Sequence, residues 1–172
     1  MAFEFLLERT ASPLGPLLVV CDREGNLRAL DFGDHETRMH RLLKLHYGEA
    51  RFTLRVGRAP ESVTRALDAF FGGELTAIDT VPVQTGGTPF QRRVWAALRR
   101  IPAGTTKTYG GLASDIRHRN ACRAVGLANG SNPVAIVVPC HRVIGANGML
   151  TGYGGGIDRK RWLLEHEDLR LL

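Results

Sequence analysis

At the start of the chain Phe3, Phe5 and Leu7 alternate with Glu4, Leu6 and Glu8, an apolar-polar pattern broken only at Leu6. A period of two puts one set of side chains on one face of a strand. Two apolar runs follow, Leu17 to Cys21 and Leu27 to Phe32, separated by Asp22-Arg23-Glu24-Gly25-Asn26, which is a hairpin signal. A small antiparallel sheet of three strands is predicted. The period then lengthens. Met39, Leu42, Leu43 and His46 fall at helical spacing between His35 and His46, and Val63, Ala66, Leu67, Phe70 and Phe71 repeat it between Ser62 and Phe71 before Gly72-Gly73 ends the helix. The stretch from Asp79 through Val81-Pro82-Val83 to Gly86-Gly87 has the composition of a connection. These signals divide the chain into a first domain over 1–80, a linker over 81–87 and a second domain over 88–172.

Thr88-Pro89-Phe90-Gln91 supplies an N-cap threonine, a proline at the first helical position and a glutamine three residues after the cap. This is a capping box, so a helix starts at Pro89. Phe90, Val94, Leu98 and Ile101 lie on its apolar face, Arg92, Arg93, Arg99 and Arg100 lie off it, Trp95 sits at its edge, and Pro102 with Gly104 closes it. Thr108 caps a short helix through Tyr109, Leu112, Ala113 and Ile116, and a second begins near Asn120 after the basic turn Arg117-His118-Arg119. The pair resembles a helix-turn-helix. Apart from Arg123 the second helix is built almost entirely of small residues, which suits either close approach to a partner or tight packing in a core. The turn Asn129-Gly130-Ser131-Asn132-Pro133 leads into Val134-Ala135-Ile136-Val137-Val138, which reads as a buried strand. A glycine-dense segment from Gly145 to Gly156 precedes a last helix from about Asp158 to Glu167.

Charge sharpens the division. Residues 1–86 carry 10 Lys or Arg against 12 Asp or Glu, whereas residues 87–172 carry 13 against 5. The basic half fits either a polyanionic partner such as nucleic acid or an arginine-rich solvated surface. No apolar run approaches the roughly 20 residues of a membrane helix. The start Met1-Ala2-Phe3-Glu4-Phe5 lacks the form of a signal peptide, so a soluble cytoplasmic protein is expected. Cys21, Cys122 and Cys140 are odd in number and widely spaced, which argues against a disulfide framework and a zinc ribbon.

The candidate chemistry sits at Pro139-Cys140-His141-Arg142-Val143. A cysteine is a strong nucleophile as thiolate, and a neighbouring imidazole promotes that form. Adjacent residues of an extended chain point apart, so Cys140 and His141 communicate only if the backbone turns between them or a water bridges them. A bare Cys-His pair also fits a structural cysteine beside an unrelated histidine. The glycine-dense segment matches no phosphate-binding motif, which leaves a nucleotide cofactor unsupported. Its glycines suit a loop bending around a flat substrate, with Tyr153 as its one large side chain.

Taken together, Asn132-Pro133, Ile136 to Ile144 with Pro139-Cys140-His141-Arg142 at its centre, Thr151-Gly152-Tyr153-Gly154-Gly155-Gly156, Lys160 and Trp162-Leu163-Leu164-Glu165-His166-Glu167 closely resemble the O6-alkylguanine-DNA alkyltransferases. The likeness runs from Thr88 to Glu167, and Ser12-Pro13-Leu14-Gly15-Pro16-Leu17 fits the family's first domain. It is strongest to the bacterial stand-alone form. The resemblance implies an α/β (α+β) chain, with a ribonuclease-H-like N-terminal sheet and helices and a mostly helical, winged-helix-like DNA-binding domain. It implies direct DNA repair, in which Cys140 irreversibly accepts an alkyl group from O6-alkylguanine, or more slowly from O4-alkylthymine, and is consumed. In this scheme a water links Cys140 to His141, Glu167 sets the His141 tautomer, Tyr109 donates a proton to the departing guanine and Asn132 braces the turn. Val143, Tyr153 and Gly154 line the base pocket, with Lys160 accessory to the loop. The base must be flipped out of the duplex to meet the thiol. Arg123 is the finger that fills the vacated space, while Ala121, Cys122, Ala124 and Gly126 of its helix lie in the minor groove.

The expected partner is double-stranded DNA, bound by a monomer without a membrane, a cofactor or a metal. Two departures from the family pattern stand out. Cys122 replaces a frequent alanine, adding bulk and an oxidisable thiol beside the finger. Gly154 replaces a serine found in some members, giving room for bulky alkyl groups at the loss of a hydroxyl. A Cys-His hydrolase would need an oxyanion hole and would turn over. An alkyltransferase-like protein would bind damage without the acceptor cysteine that this chain has.

Overall fold

The computed structural model describes residues 2–167. The last five residues of the domain expected over 88–172 lie outside that range. Two compact units are present: Met1–Gly87 with Pro133–Val137, and Thr88–Asn132 with Val138–Leu172.

In the first unit the predicted meander forms as β1 (Phe3–Thr10), β2 (Leu17–Cys21) and β3 (Leu27–Phe32), paired antiparallel with Leu7 opposite Val20 and Val19 opposite Leu30. A fourth strand not predicted above, β4 (Phe52–Val56), extends the sheet in the order β3-β2-β1-β4. It runs parallel to β1, with Leu54 opposite Phe5. A parallel neighbour requires a crossover, and α1 (Glu36–Tyr47) provides it. Met39 and Leu43, four residues apart on α1, join Phe5, Leu7, Leu18, Val20 and Ala29 in one buried cluster, against which Tyr47, Phe52 and Leu54 pack. Each large apolar side chain fully buried there contributes about 1.5–3 kcal/mol. A second helix, α2 (Glu61–Phe71), buries Val63, Leu67 and Phe70 at helical spacing.

The run Val134–Val138 is buried as expected but is not a strand. It makes one parallel bridge, Val134 to Leu30, framed by Leu30 N–H donating to Pro133 O at 3.0 Å and Ala135 N–H donating to Leu30 O at 2.9 Å. It then turns, with Val137 N–H donating to Ala135 O at 2.8 Å and Ile136 held at φ 71°. A β-branched residue in the left-handed region costs about 1–2 kcal/mol. Five apolar residues in a row look the same in sequence whether they extend or turn. The strain falls four residues before Cys140.

The second unit opens with α3 (Pro89–Arg99), where Thr88 Oγ1 accepts from Gln91 N–H at 3.1 Å and Gln91 Oε1 accepts from Thr88 N–H at 2.9 Å. The capping box is therefore complete. Trp95 is buried, not at the helix edge, because its indole N–H donates to Ala128 O at 2.8 Å and ties α3 to α5 (Cys122–Gly130). Between them α4 (Tyr109–Asp115) is capped by Thr108 Oγ1, which accepts from Gly111 N–H at 3.0 Å. A parallel pair, β5 (Lys107–Thr108) with β6 (Val143–Ile144), and a last helix, α6 (Ile157–His166), complete the unit. Among the described residues no helix is long and apolar enough to cross a membrane.

Candidate active site

Cys140, His141 and Arg142 form a single 3-10 turn between Pro139 and β6, and all three are buried. The turn is what allows adjacent residues to share one site. Asn132 closes it from behind, since its side-chain amide donates to Val138 O at 2.8 Å while Cys140 N–H donates to the same residue's carbonyl at 2.8 Å. Satisfying that buried carbonyl twice holds the turn in place.

Glu167 follows the last turn of α6, with its N–H on Leu163 O at 3.0 Å. Its carboxylate meets His141 Nε2 at 3.1 Å, and both side chains are fully buried. It also accepts three hydrogen bonds from Arg142, from Nε to Oε1 at 3.0 Å and to Oε2 at 3.2 Å, and from Nη2 to Oε2 at 2.6 Å. The remaining arm, Arg142 Nη1, donates to Ile101 O at 2.6 Å. Burial alone pushes the Glu167 carboxyl upward, but the hydrogen bonds and charges of His141 and Arg142 outweigh it and bring its pKa down to about 2. Glu167 is thus ionised. An ionised carboxylate can only accept, so Nε2 of His141 carries the proton. Burial lowers the His141 pKa, helped by Arg142 and Lys160 and opposed by Glu167, so the imidazole is neutral near pH 7. Its Nδ1 is buried without a hydrogen-bond partner among the described residues and has a lone pair available.

Lys160 of α6 is fully buried as well. Its ammonium donates to Val143 O at 2.5 Å and Thr151 O at 2.7 Å, which pins the glycine-dense loop to β6. Burial lowers its pKa to about 8, and the nearby Cys140 thiol pulls the other way. Tyr109, at the start of α4, is half-buried with its phenol at 3.4 Å from Thr151 Oγ1 and 3.5 Å from Thr151 O. Val143 is buried in β6, Tyr153 is half-buried and Gly154 is exposed in the loop.

Arg123 stands on the exposed side of α5 together with Cys122, Ala124, Leu127 and Gly130, while Val125, Ala128 and Asn129 face inward. Ala121 is the N-cap of this helix, and Gly126 is half-buried, where an added Cβ would sit 3.8 Å from the Tyr109 ring. One side of the helix therefore packs and the other is open. Leu127, 69% exposed, makes that open side less uniformly small than the sequence suggested. Sequence reasoning also passed over Arg142, Ile101 and Thr151. Arg142 lay inside the recognised motif, but nothing in a linear reading brings Ile101 and Glu167 to the same guanidinium.

Among the described residues no three His, Cys, Asp or Glu side chains are grouped to hold a metal ion. The arrangement brings together a buried cysteine and a neutral base of fixed tautomer, and a separate helix has an open side that carries Arg123. Residues 6–85 match the ribonuclease-like domain of 6-O-methylguanine DNA methyltransferase and residues 89–169 match its DNA-binding domain. The chain belongs to this family. It is 51% identical over 167 residues to a Shigella flexneri methylated-DNA–protein-cysteine methyltransferase, covering 97% of this chain and 98% of that one. A Mycobacterium tuberculosis protein of the same name is 49% identical over 161 residues, covering 92% and 90%. The solved structure of Mycobacterium tuberculosis OGT in complex with DNA superposes with a TM-score of 0.78 at 45% identity, over 94% of this chain and 92% of that one. The second unit is accordingly a DNA-binding domain and DNA is its partner.

Proposed function

We propose that this chain repairs DNA by direct reversal, moving an alkyl group from O6-alkylguanine, and more slowly from O4-alkylthymine, onto its own Cys140 in one irreversible step. The observation that carries this reading is the buried Cys140-His141 turn with the His141 tautomer locked by an ionised Glu167. The Sγ proton passes toward Nδ1 of His141, the position that can accept it. The resulting thiolate attacks the alkyl carbon, an S–C bond forms as the O6–C bond breaks, and the bond electrons stay with guanine. Tyr109 gives its phenolic proton to that guanine anion. The phenolate and the imidazolium then recover their resting states through solvent. The product is a thioether, which water does not cleave, so each chain acts once.

A buried thiol cannot reach a stacked base, so the lesion must leave the duplex. The open side of α5 fits the minor groove, with Arg123 filling the space that the flipped nucleotide vacates. Val143, Tyr153 and the backbone at Gly154 border the pocket, and Lys160 holds the loop that forms its wall. One chain serves one lesion, in the cytoplasm, without a cofactor. Titration with a duplex labelled in its O6-methyl group tests the proposal. Protein-bound label reaches one equivalent and stops, and Cys140→Ser takes none. Continued turnover, or binding without label, overturns it.

A further inference from the structure

We propose that Arg142 is a positioning residue for this transfer, holding the Glu167 carboxylate and balancing its charge so that His141 stays a neutral base with Nδ1 open to the thiol proton. The inference rests on the reading of Cys140 as acceptor and His141 as base.

The geometry comes first. One guanidinium joins three parts of the second unit: the 3-10 turn that carries it, Ile101 O just beyond α3 at 2.6 Å, and Glu167 after α6 through three bonds of 2.6–3.2 Å. Only a planar fork reaches a carboxylate and a carbonyl in this way, so lysine cannot replace it. Glu167 Oε2 is shared, accepting from His141 Nε2 at 3.1 Å and from Arg142 Nη2 at 2.6 Å. Arg142 therefore fixes where the carboxylate lies, and the carboxylate fixes the imidazole.

The charge argument follows. A fully buried carboxylate against an imidazole favours the imidazolium. An imidazolium already holds the proton that Nδ1 must accept from Cys140. Arg142 removes that bias, since its positive charge faces the same carboxylate and leaves Arg142, Glu167 and His141 neutral as a set. The other charged group acting on His141 is Lys160, which also opposes protonation from α6, while the Cys140 thiol in the same turn acts on Lys160. Glu167 faces His141 and Arg142. A purely structural ion pair would need the Glu167 contact but not the shared oxygen.

The test uses the full chain with nitrogen-labelled histidine, reading the His141 protonation state by NMR from pH 6 to 8 beside the rate of transfer from an O6-methylguanine duplex. In the wild type His141 is neutral with its proton on Nε2 throughout. In Arg142→Met its titration midpoint rises by about one unit or more. Transfer at pH 7 falls about tenfold or more, in line with the loss of a partner that orients a reacting group, and its pH optimum moves up. Adding Glu167→Gln to Arg142→Met brings the midpoint back down, because the charge that Arg142 balanced is gone. Arg142→Lys keeps a cation and so keeps His141 neutral, but it loses the fork to Glu167 and Ile101 O, so transfer still falls.

An unaltered His141 in Arg142→Met, with transfer slowed equally at every pH, reveals a structural role and overturns the proposal. If Arg142→Met does not fold, the wild type still decides: a charged His141 at pH 7, or a proton on Nδ1, overturns it. Absence of methyl transfer in the wild type defeats the function reading instead, and transfer in the wild type with an unmoved His141 in the variant defeats only the role of Arg142.

Discussion

Glu167→Gln probes the buried array with little change of shape. The folded-state pKa of Glu167 is about 2 against an ordinary 4.5. At 1.36 kcal/mol per unit, this depression corresponds to stabilisation on the order of 3 kcal/mol. A second route gives the same size, because removing one partner of a buried ion pair costs about 3–5 kcal/mol. A depressed carboxyl contributes its full stability above the unfolded pKa and loses it as pH falls through the folded one. The gap between wild type and Glu167→Gln is therefore complete above about pH 5, is reduced to about half near pH 3, and closes toward pH 2. Urea unfolding of the two proteins at pH 7, 5, 4 and 3 measures it, and taking the difference removes every other carboxylate. A gap below about 1 kcal/mol at pH 7, or one that stays constant down to pH 3, refutes the argument that Arg142 and His141 hold an ionised Glu167.

Two of the thiols, Cys122 and Cys21, are expected to separate with a chromogenic thiol reagent at pH 8. Exposed Cys122 is labelled in the native protein, whereas buried Cys21, whose pKa is pushed up to about 12, reacts only after denaturation; labelling of native Cys21 contradicts this. Lys160, with a folded pKa of about 8 against an ordinary 10.5, favours the neutral form when folded, so its contribution to stability rises with pH between those values. Lys160→Met removes that rise in a comparison of unfolding at pH 8 and pH 10, where Cys21 cancels; an unchanged slope argues that the ammonium is not buried. Arg123→Ala slows repair of a duplex about tenfold or more, by analogy with other groups that position a substrate, yet leaves alkylation of Cys140 by a small electrophile unchanged. Equal loss in both assays places Arg123 in a structural role.

Much of the architecture was written in local signals. The Thr88-Pro89-Phe90-Gln91 capping box marked the start of α3, and the period-two spacing of Phe5 and Leu7 marked which side of β1 faces the core. Both depend on neighbours in sequence, which periodicity reports directly. β4 went unread although Phe52, Leu54 and Val56 alternate with Thr53 and Arg55, because the run is only five residues long and lies at the sheet edge, where Val56 is exposed and no position is fully buried. The turn at Ile136 escaped for the opposite reason: every residue there is buried, and burial alone does not distinguish a strand from a strained turn. The Cys140-His141 pair was visible as a motif, but its electrostatics were not. Those depend on Arg142 and Glu167, 25 residues apart, meeting beside the Ile101 carbonyl.

The central claim is that Cys140 is the acceptor. Intact-protein mass spectrometry after mixing with excess duplex carrying one O6-methylguanine, followed by peptide mapping, tests it most directly. The account predicts a gain of one methyl group, on Cys140, absent in Cys140→Ser. No gain despite tight binding, or a gain that persists in Cys140→Ser, contradicts it.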